Sequence, residues 1–178
     1  FIFRTSLLIL FINMVMRKKL ILDAARKLYN EYGLPNVTIR QIAQKMQISS
    51  GNLTYHFDKR GDIICGIFED LISVESKFLS LYKQSVLTQR QLNNLMRSHA
   101  KAMFHYRFFW IDFVQVGREN QNVQRRLDEL MQNRINELDY EWANYLNQFL
   151  YLMATLNLKF NSNDFEKHFN KIEEKVFL

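Results

Sequence analysis

Apolar positions recur at helical spacing along most of the chain. In residues 17–32, Leu20, Ala24, Leu28 and Tyr32 repeat at i, i+4, and Ile21 and Ala25 widen the stripe, which predicts an amphipathic helix. Gly33 follows where helices commonly stop, and Leu34-Pro35-Asn36 reads as a connection. Thr38 is a good N-cap. Ile39, Ile42, Ala43 and Met46 then fall at i, i+3, i+4, i+7, a helix of about two turns. Ser49 is a second N-cap and opens another short helix through His56. A longer helix is expected from Arg60 to about Gln84, with Ile63, Ile64, Ile67, Phe68, Leu71 and Ile72 on one face. Further helices are expected over about 88–105, 107–119, 122–156 and 163–177, with Asn161–Asp164 as a connector.

The first three helices occupy about forty residues, and only three or four residues join the second to the third. That is the helix-turn-helix arrangement. Ala43 is small where the two helices would cross, and Ile48 and Leu53 supply apolar anchors. A generic three-helix scaffold explains those positions equally well. It does not explain the polar residues of the third helix, Ser49-Ser50-Gly51-Asn52-Leu53-Thr54-Tyr55-His56. Ser50, Asn52 and Thr54 suit base edges, and Gly51 removes a side chain where the helix would press into a major groove. Ser49, Tyr55 and His56 suit phosphate oxygens. Lys59 and Arg60 are placed to clamp a neighbouring phosphate, and Thr38 and Arg40 to flank the groove.

Charge sharpens this picture. The chain has 178 residues and a formal net charge of +6. Residues 16–60 hold nine bases and three acids, so they carry an excess of six, whereas residues 61–178 are close to neutral. Such asymmetry suits a polyanion-binding module. One proline and five glycines are few breakers, in keeping with an all-α chain. Cys65 is the only cysteine, which rules out an internal disulfide. No phosphate-cradling glycine loop, nucleophile elbow or metal-ligand pair at i, i+4 is present, so neither an enzyme nor a cofactor is expected. Residues 1–15 contain the apolar run Leu7–Ile12, too short to span a bilayer comfortably. They are expected to be upstream or disordered sequence before a natural start at Met14 or Met16.

Residues 18–66 resemble the TetR family of transcriptional regulators. The resemblance lies in Ile21-Leu22-Asp23-Ala24-Ala25, Leu28-Tyr29, Tyr32-Gly33, Thr38–Ala43, Ile48–Leu53, Tyr55-His56-Phe57, Arg60 and Ile63. It implies base or nearby phosphate contacts at Arg40, Ser50, Gly51 and Asn52, and phosphate contacts at Thr38, Tyr55, His56 and Arg60. The family usually has Tyr at the position of Thr54 and often Gly at that of Gln47. Gln47 is therefore expected to take a positive φ, or the turn to relax. By the same resemblance residues 16–62 form the DNA-binding domain and 63–178 a helical regulatory and dimerisation domain. The expected chain is a cytoplasmic homodimer that binds a double-stranded operator, responds to a small-molecule effector and has no membrane partner. Repression is the expected outcome. Phe104, Phe108, Trp110, Phe113 and Trp142 are candidate pocket rings, though plain core packing explains them as well. The rival reading is a helical small-molecule-binding protein without DNA function, or one tethered to a membrane.

Overall fold

The computed structural model describes residues 2–84, 86–137 and 167. Among them all regular elements are helical. They are α1 (Ile2–Tyr32), a 3-10 turn (Leu34–Asn36), α2 (Ile39–Lys45), α3 (Ser50–His56), α4 (Arg60–Gln84), α5 (Gln89–Phe104), α6 (Phe108–Ile111), α7 (Phe113–Glu119) and α8 (Gln121–Glu137).

Helix α1 departs from expectation at both its start and its phase. Residues 2–32 contain neither glycine nor proline, and the helix runs unbroken from Ile2. Residues 2–15, part of the segment expected as upstream or disordered sequence, continue the helix. The buried stripe of α1 is Ile21, Ala25, Leu28 and Tyr29, while Leu20 and Tyr32 are more than half exposed. Two adjacent apolar rows share one period, so periodicity alone does not choose between them. Packing does: the Tyr29 ring lies 5.1 Å from that of Phe108. Gly33 ends the helix with φ 81, a left-handed value that glycine takes freely, and its N–H donates to the Tyr29 carbonyl at 2.9 Å.

One hydrophobic core joins the first three helices to the rest. Ile63, Ile64, Ile67, Phe68 and Leu71 of α4 are buried along the anticipated face, and Ile72 packs at its edge. Helix α5 contributes Leu92, Met96, Ala100, Met103 and Phe104. Phe108 and Phe109 of α6 bridge the halves, Phe109 lying 5.9 Å from Phe68. Aromatic pairs of this kind contribute roughly 0.5–1.5 kcal/mol each beyond area burial.

Polar bonds reinforce the same junction. Asn30, 5% exposed, donates from Nδ2 to the His105 carbonyl at 2.7 Å and accepts from the Phe108 N–H at 3.1 Å. Arg107 donates to the Asn30 carbonyl at 3.0 Å. The Asp112 carboxylate accepts from the Leu34 N–H at 2.7 Å. This bond accounts for the one break within the helix expected over 107–119. Asp112, with φ −105 and ψ 29, leaves the helical path to reach Leu34, so α6 ends at Ile111 and α7 restarts at Phe113.

That break also bears on the candidate pocket rings. Phe113 is turned outward and exposed. Phe104 is buried beneath the Arg107 guanidinium, 4.5 Å from its ring, and Phe108 is packed between Tyr29 and Phe109. Trp110 is partly buried at the core edge. Among the described residues, packing accounts for Phe104, Phe108 and Trp110. A cleft of about 310 Å³ lies elsewhere, against α1 and α4, with charged walls that include Lys19, Asp23, Arg26 and Asp70. Trp142, the 161–164 connector and 138–156 of the helix expected over 122–156 lie outside the described residues, as does the helix expected over 163–177 apart from residue 167.

Candidate nucleic-acid interface

Helices α2 and α3 are each fixed at their N-termini by a side chain. The Thr38 hydroxyl accepts from the Gln41 N–H at 3.3 Å, and the Gln41 carboxamide accepts from the Thr38 N–H at 2.7 Å, a reciprocal capping box. The Thr38 hydroxyl also donates to Gln41 at 2.8 Å, so its proton is spent within the protein. Ser49 caps α3 by accepting from the Asn52 N–H at 3.1 Å, which leaves its own hydroxyl proton free to donate outward.

The turn between the helices is tight. Gln47 takes φ 57, the anticipated left-handed value at a position where glycine is at no disadvantage. The next N–H, from Ile48, donates to the Ala43 carbonyl at 3.0 Å. Ala43 and Leu53 are fully buried where the two helices meet. The opposite face of α3 then points away from the protein. Ser50, Gly51, Asn52, Thr54 and Tyr55 are all exposed, Tyr55 by 81%, and Arg40 of α2 is exposed beside them. Thr54 donates its hydroxyl to the Gly51 carbonyl at 3.1 Å and so presents only acceptor capacity.

Gly51 has no internal cause. Its φ is not positive, and an added Cβ would meet nothing nearer than the Ser49 hydroxyl at 4.0 Å. Glycine in a helix costs roughly 0.5–1 kcal/mol relative to alanine. Among the described residues nothing offsets that cost.

His56 and Arg60 differ from the rest of the set. His56 is half-buried, its Nδ1 has no partner among the described residues, and burial, then Arg17 and Lys18 of α1, hold its imidazole below the usual histidine range. Arg60 is not a free clamp. It forms an ion pair with Glu119 through Nε and Nη2, and Nη1 donates to the carbonyls of Leu34 at 3.2 Å and Val37 at 2.7 Å. Its guanidinium thus ties the α1–α2 connection to the end of α7, which corrects the expected phosphate contact there. Lys59 remains exposed at the start of α4, where its N–H is capped by Asp62 at 3.1 Å. Sequence reading missed Glu119, Asp112 and Asn30 because their partners lie 59 to 78 residues away.

The arrangement is an exposed polar helix on a capped, internally satisfied frame, with cations around it. Residues 21–64 match the family described as bacterial regulatory proteins, tetR family. That stretch holds α2, α3 and the parts of α1 and α4 that pack on them. Solved structures extend the likeness of fold over most of the chain. A TetR-family transcriptional regulator from Marinobacter aquaeolei VT8 is 23% identical with TM-score 0.66, over 76% of each chain. The ketosteroid transcriptional regulator KstR2 of Mycobacterium tuberculosis is 13% identical with TM-score 0.64, over 90% of this chain and 93% of that one. The fatty acid degradation regulator FadR from Bacillus halodurans is 17% identical with TM-score 0.57, over 91% and 94%. A search of curated proteins returns no match. The fold is therefore that of tetR-family transcriptional regulators. Among the described residues no helix is long and apolar enough to cross a membrane, and no group of three or more His, Cys, Asp or Glu could hold a metal ion.

Proposed function

We propose that this chain is a sequence-specific DNA-binding regulator that sets α3 in the major groove of an operator. Gly51 is the observation that carries the reading. A helix that stays in water gains from alanine at this position, whereas one pressed against base edges needs the space. Asn52 and Arg40 are the direct-readout residues, and Ser50 and Thr54 add shorter polar contacts. Ser49, Tyr55, His56 and Lys59 hold flanking phosphates, and Thr38 positions α2.

The chain acts as a homodimer on a pseudo-palindrome whose half-sites lie a multiple of about 34 Å apart. It is a repressor, released when a small molecule favours a conformation that fits the operator less well. The bonds from Asp112 and from the Arg60–Glu119 pair to the α1–α2 connection support this, because a shift of α6 and α7 then acts directly on the start of α2.

In vitro selection from random duplexes at low salt tests the reading. An enriched motif is expected, and Arg40→Ala with Asn52→Ala should each lose about 1–3 kcal/mol on it. Absence of any enriched motif, or undiminished binding by both variants, overturns the reading.

A further inference from the structure

The sequence places three consecutive cations at 17–19, before the helix-turn-helix, and the site described above uses none of them. Arg17 stands one turn before the buried Ile21, and Lys18 one turn before the half-buried Leu22. Both therefore extend the face of α1 that packs on the domain, beyond the point where the domain ends. Lys18 Nζ reaches 5.8 Å from the centre of the Phe57 ring, and Phe57 directly follows α3. The same two cations act on His56, the last residue of α3. Both are solvent-exposed, and among the described residues neither meets a carboxylate. The single acid of this part of α1, Asp23, is engaged with Arg26 and Lys27 one turn further along. Lys19 differs from its neighbours, since it lines the cleft that contains Asp70.

We infer that Arg17 and Lys18 form a further contact with nucleic-acid phosphates, flanking the duplex where the C-terminal end of α3 leaves the groove. The inference rests on the DNA-binding reading and adds a second element, α1, to it. Two exposed cations, Lys18 of them over an aromatic ring, with His56 Nδ1 unpartnered among the described residues, suit a polyanionic backbone that lies across the surface. They do not suit base readout, because they stand outside the row of α3 residues aimed at a groove.

Salt dependence separates phosphate contacts from base contacts. The test titrates the full chain and its Arg17→Ala/Lys18→Ala variant against the selected duplex and a scrambled one, by fluorescence anisotropy across a salt series. The slope of log K against log salt should fall by about 1.8 per protomer, since each lost contact removes about 0.9. Between 50 and 200 mM salt the wild-type chain should therefore lose about tenfold more affinity per protomer than the variant. Preference for the selected over the scrambled duplex should be unchanged, and Arg17→Lys/Lys18→Arg should restore the slope. An unchanged slope in the alanine variant overturns this contact, as does a loss of sequence preference. If the wild-type chain binds both duplexes equally but with steep salt dependence, the operator reading fails, while the slope comparison still decides the α1 contact. If it binds neither duplex, both fall.

Discussion

Gly51→Ala should move stability and DNA binding in opposite directions. The backbone there is helical with no positive φ, and the new methyl would lie 4.0 Å from its nearest neighbour, so alanine fits the folded chain without strain. Alanine also restricts the unfolded chain more than glycine does. The gain in stability is then about 0.5–1 kcal/mol, or a rise in Tm of about 1–4 °C for a chain of this length. On DNA the same methyl stands on the exposed face of α3, between Ser50 and Asn52. It has to be accommodated by backing the helix away from the groove, which weakens the Asn52 contact as well. A loss of at least about tenfold in affinity, or ~1.4 kcal/mol, is the expected scale. Thermal unfolding monitored by circular dichroism gives the first quantity, and anisotropy titration at fixed salt gives the second. Gly51→Ala protein that melts higher and still binds the selected duplex with wild-type affinity would refute the argument from close approach.

Other perturbations separate the frame from the reading surface. Arg60→Ala should destabilise by about 2–3 kcal/mol, because it strands Glu119 and the carbonyls of Leu34 and Val37. A double-mutant cycle with Glu119→Ala should show coupling of about 1–3 kcal/mol, and additive effects would exclude the link. Pairing with Arg60 holds the Glu119 carboxyl below its ordinary value of 4.5, so this coupling is present above that pH and fades as pH falls through the folded value. Gln47→Gly should stabilise by about 0.5–1 kcal/mol by relieving φ 57, partly offset by a more flexible unfolded chain; an unchanged or lower urea midpoint would count against strain at the turn. Asn30→Ala should cost about 2–3 kcal/mol, since it leaves the Phe108 N–H buried without its partner, and a loss under 1 kcal/mol in chemical denaturation would contradict that assignment. Burial, then Arg17 and Lys18, hold the His56 imidazole of the folded chain below the 6.5 at which the unfolded chain takes up a proton. Its contribution is therefore full above that pH and lost on acidification below it. Urea midpoints from pH 8 to 5 should fall less steeply in His56→Gln; identical slopes would dismiss the group.

What the sequence made legible was local. The caps at Thr38 and Ser49, the left-handed Gln47, the stop at Gly33 and the buried face of α4 all follow from interactions within a few residues. The phase of α1 was not legible, because Leu20 and Ile21 begin rows of equal period and a distant ring, Phe108, selects between them. Nor was the break at Asp112, whose partner is Leu34 on the other side of the core. The aromatic segment 104–113 shows the same limit. Its composition suits a pocket and a core alike, and only the neighbours of each ring decide.

Arg60 and Arg17 show why charge content and function separate. Both belong to the basic excess of residues 16–60. Arg60 follows the family pattern, yet Glu119 neutralises it from 59 residues away and its guanidinium holds the frame together. Arg26 and Lys27 are likewise matched by Asp23. Six of the nine bases are left once these three are set aside, and Lys19 among them faces the cleft with Asp70. Arg17 and Lys18 follow no family signature, yet they stand exposed beside the end of α3 with no carboxylate in reach among the described residues. A charge answered inside the fold contributes little to an external field, while an unanswered one on the same face retains its pull on a polyanion. The proposed reading therefore sets Arg17, Lys18, Arg40, Lys45 and Lys59 toward DNA, and in it Arg60 serves that surface by holding α2 in place.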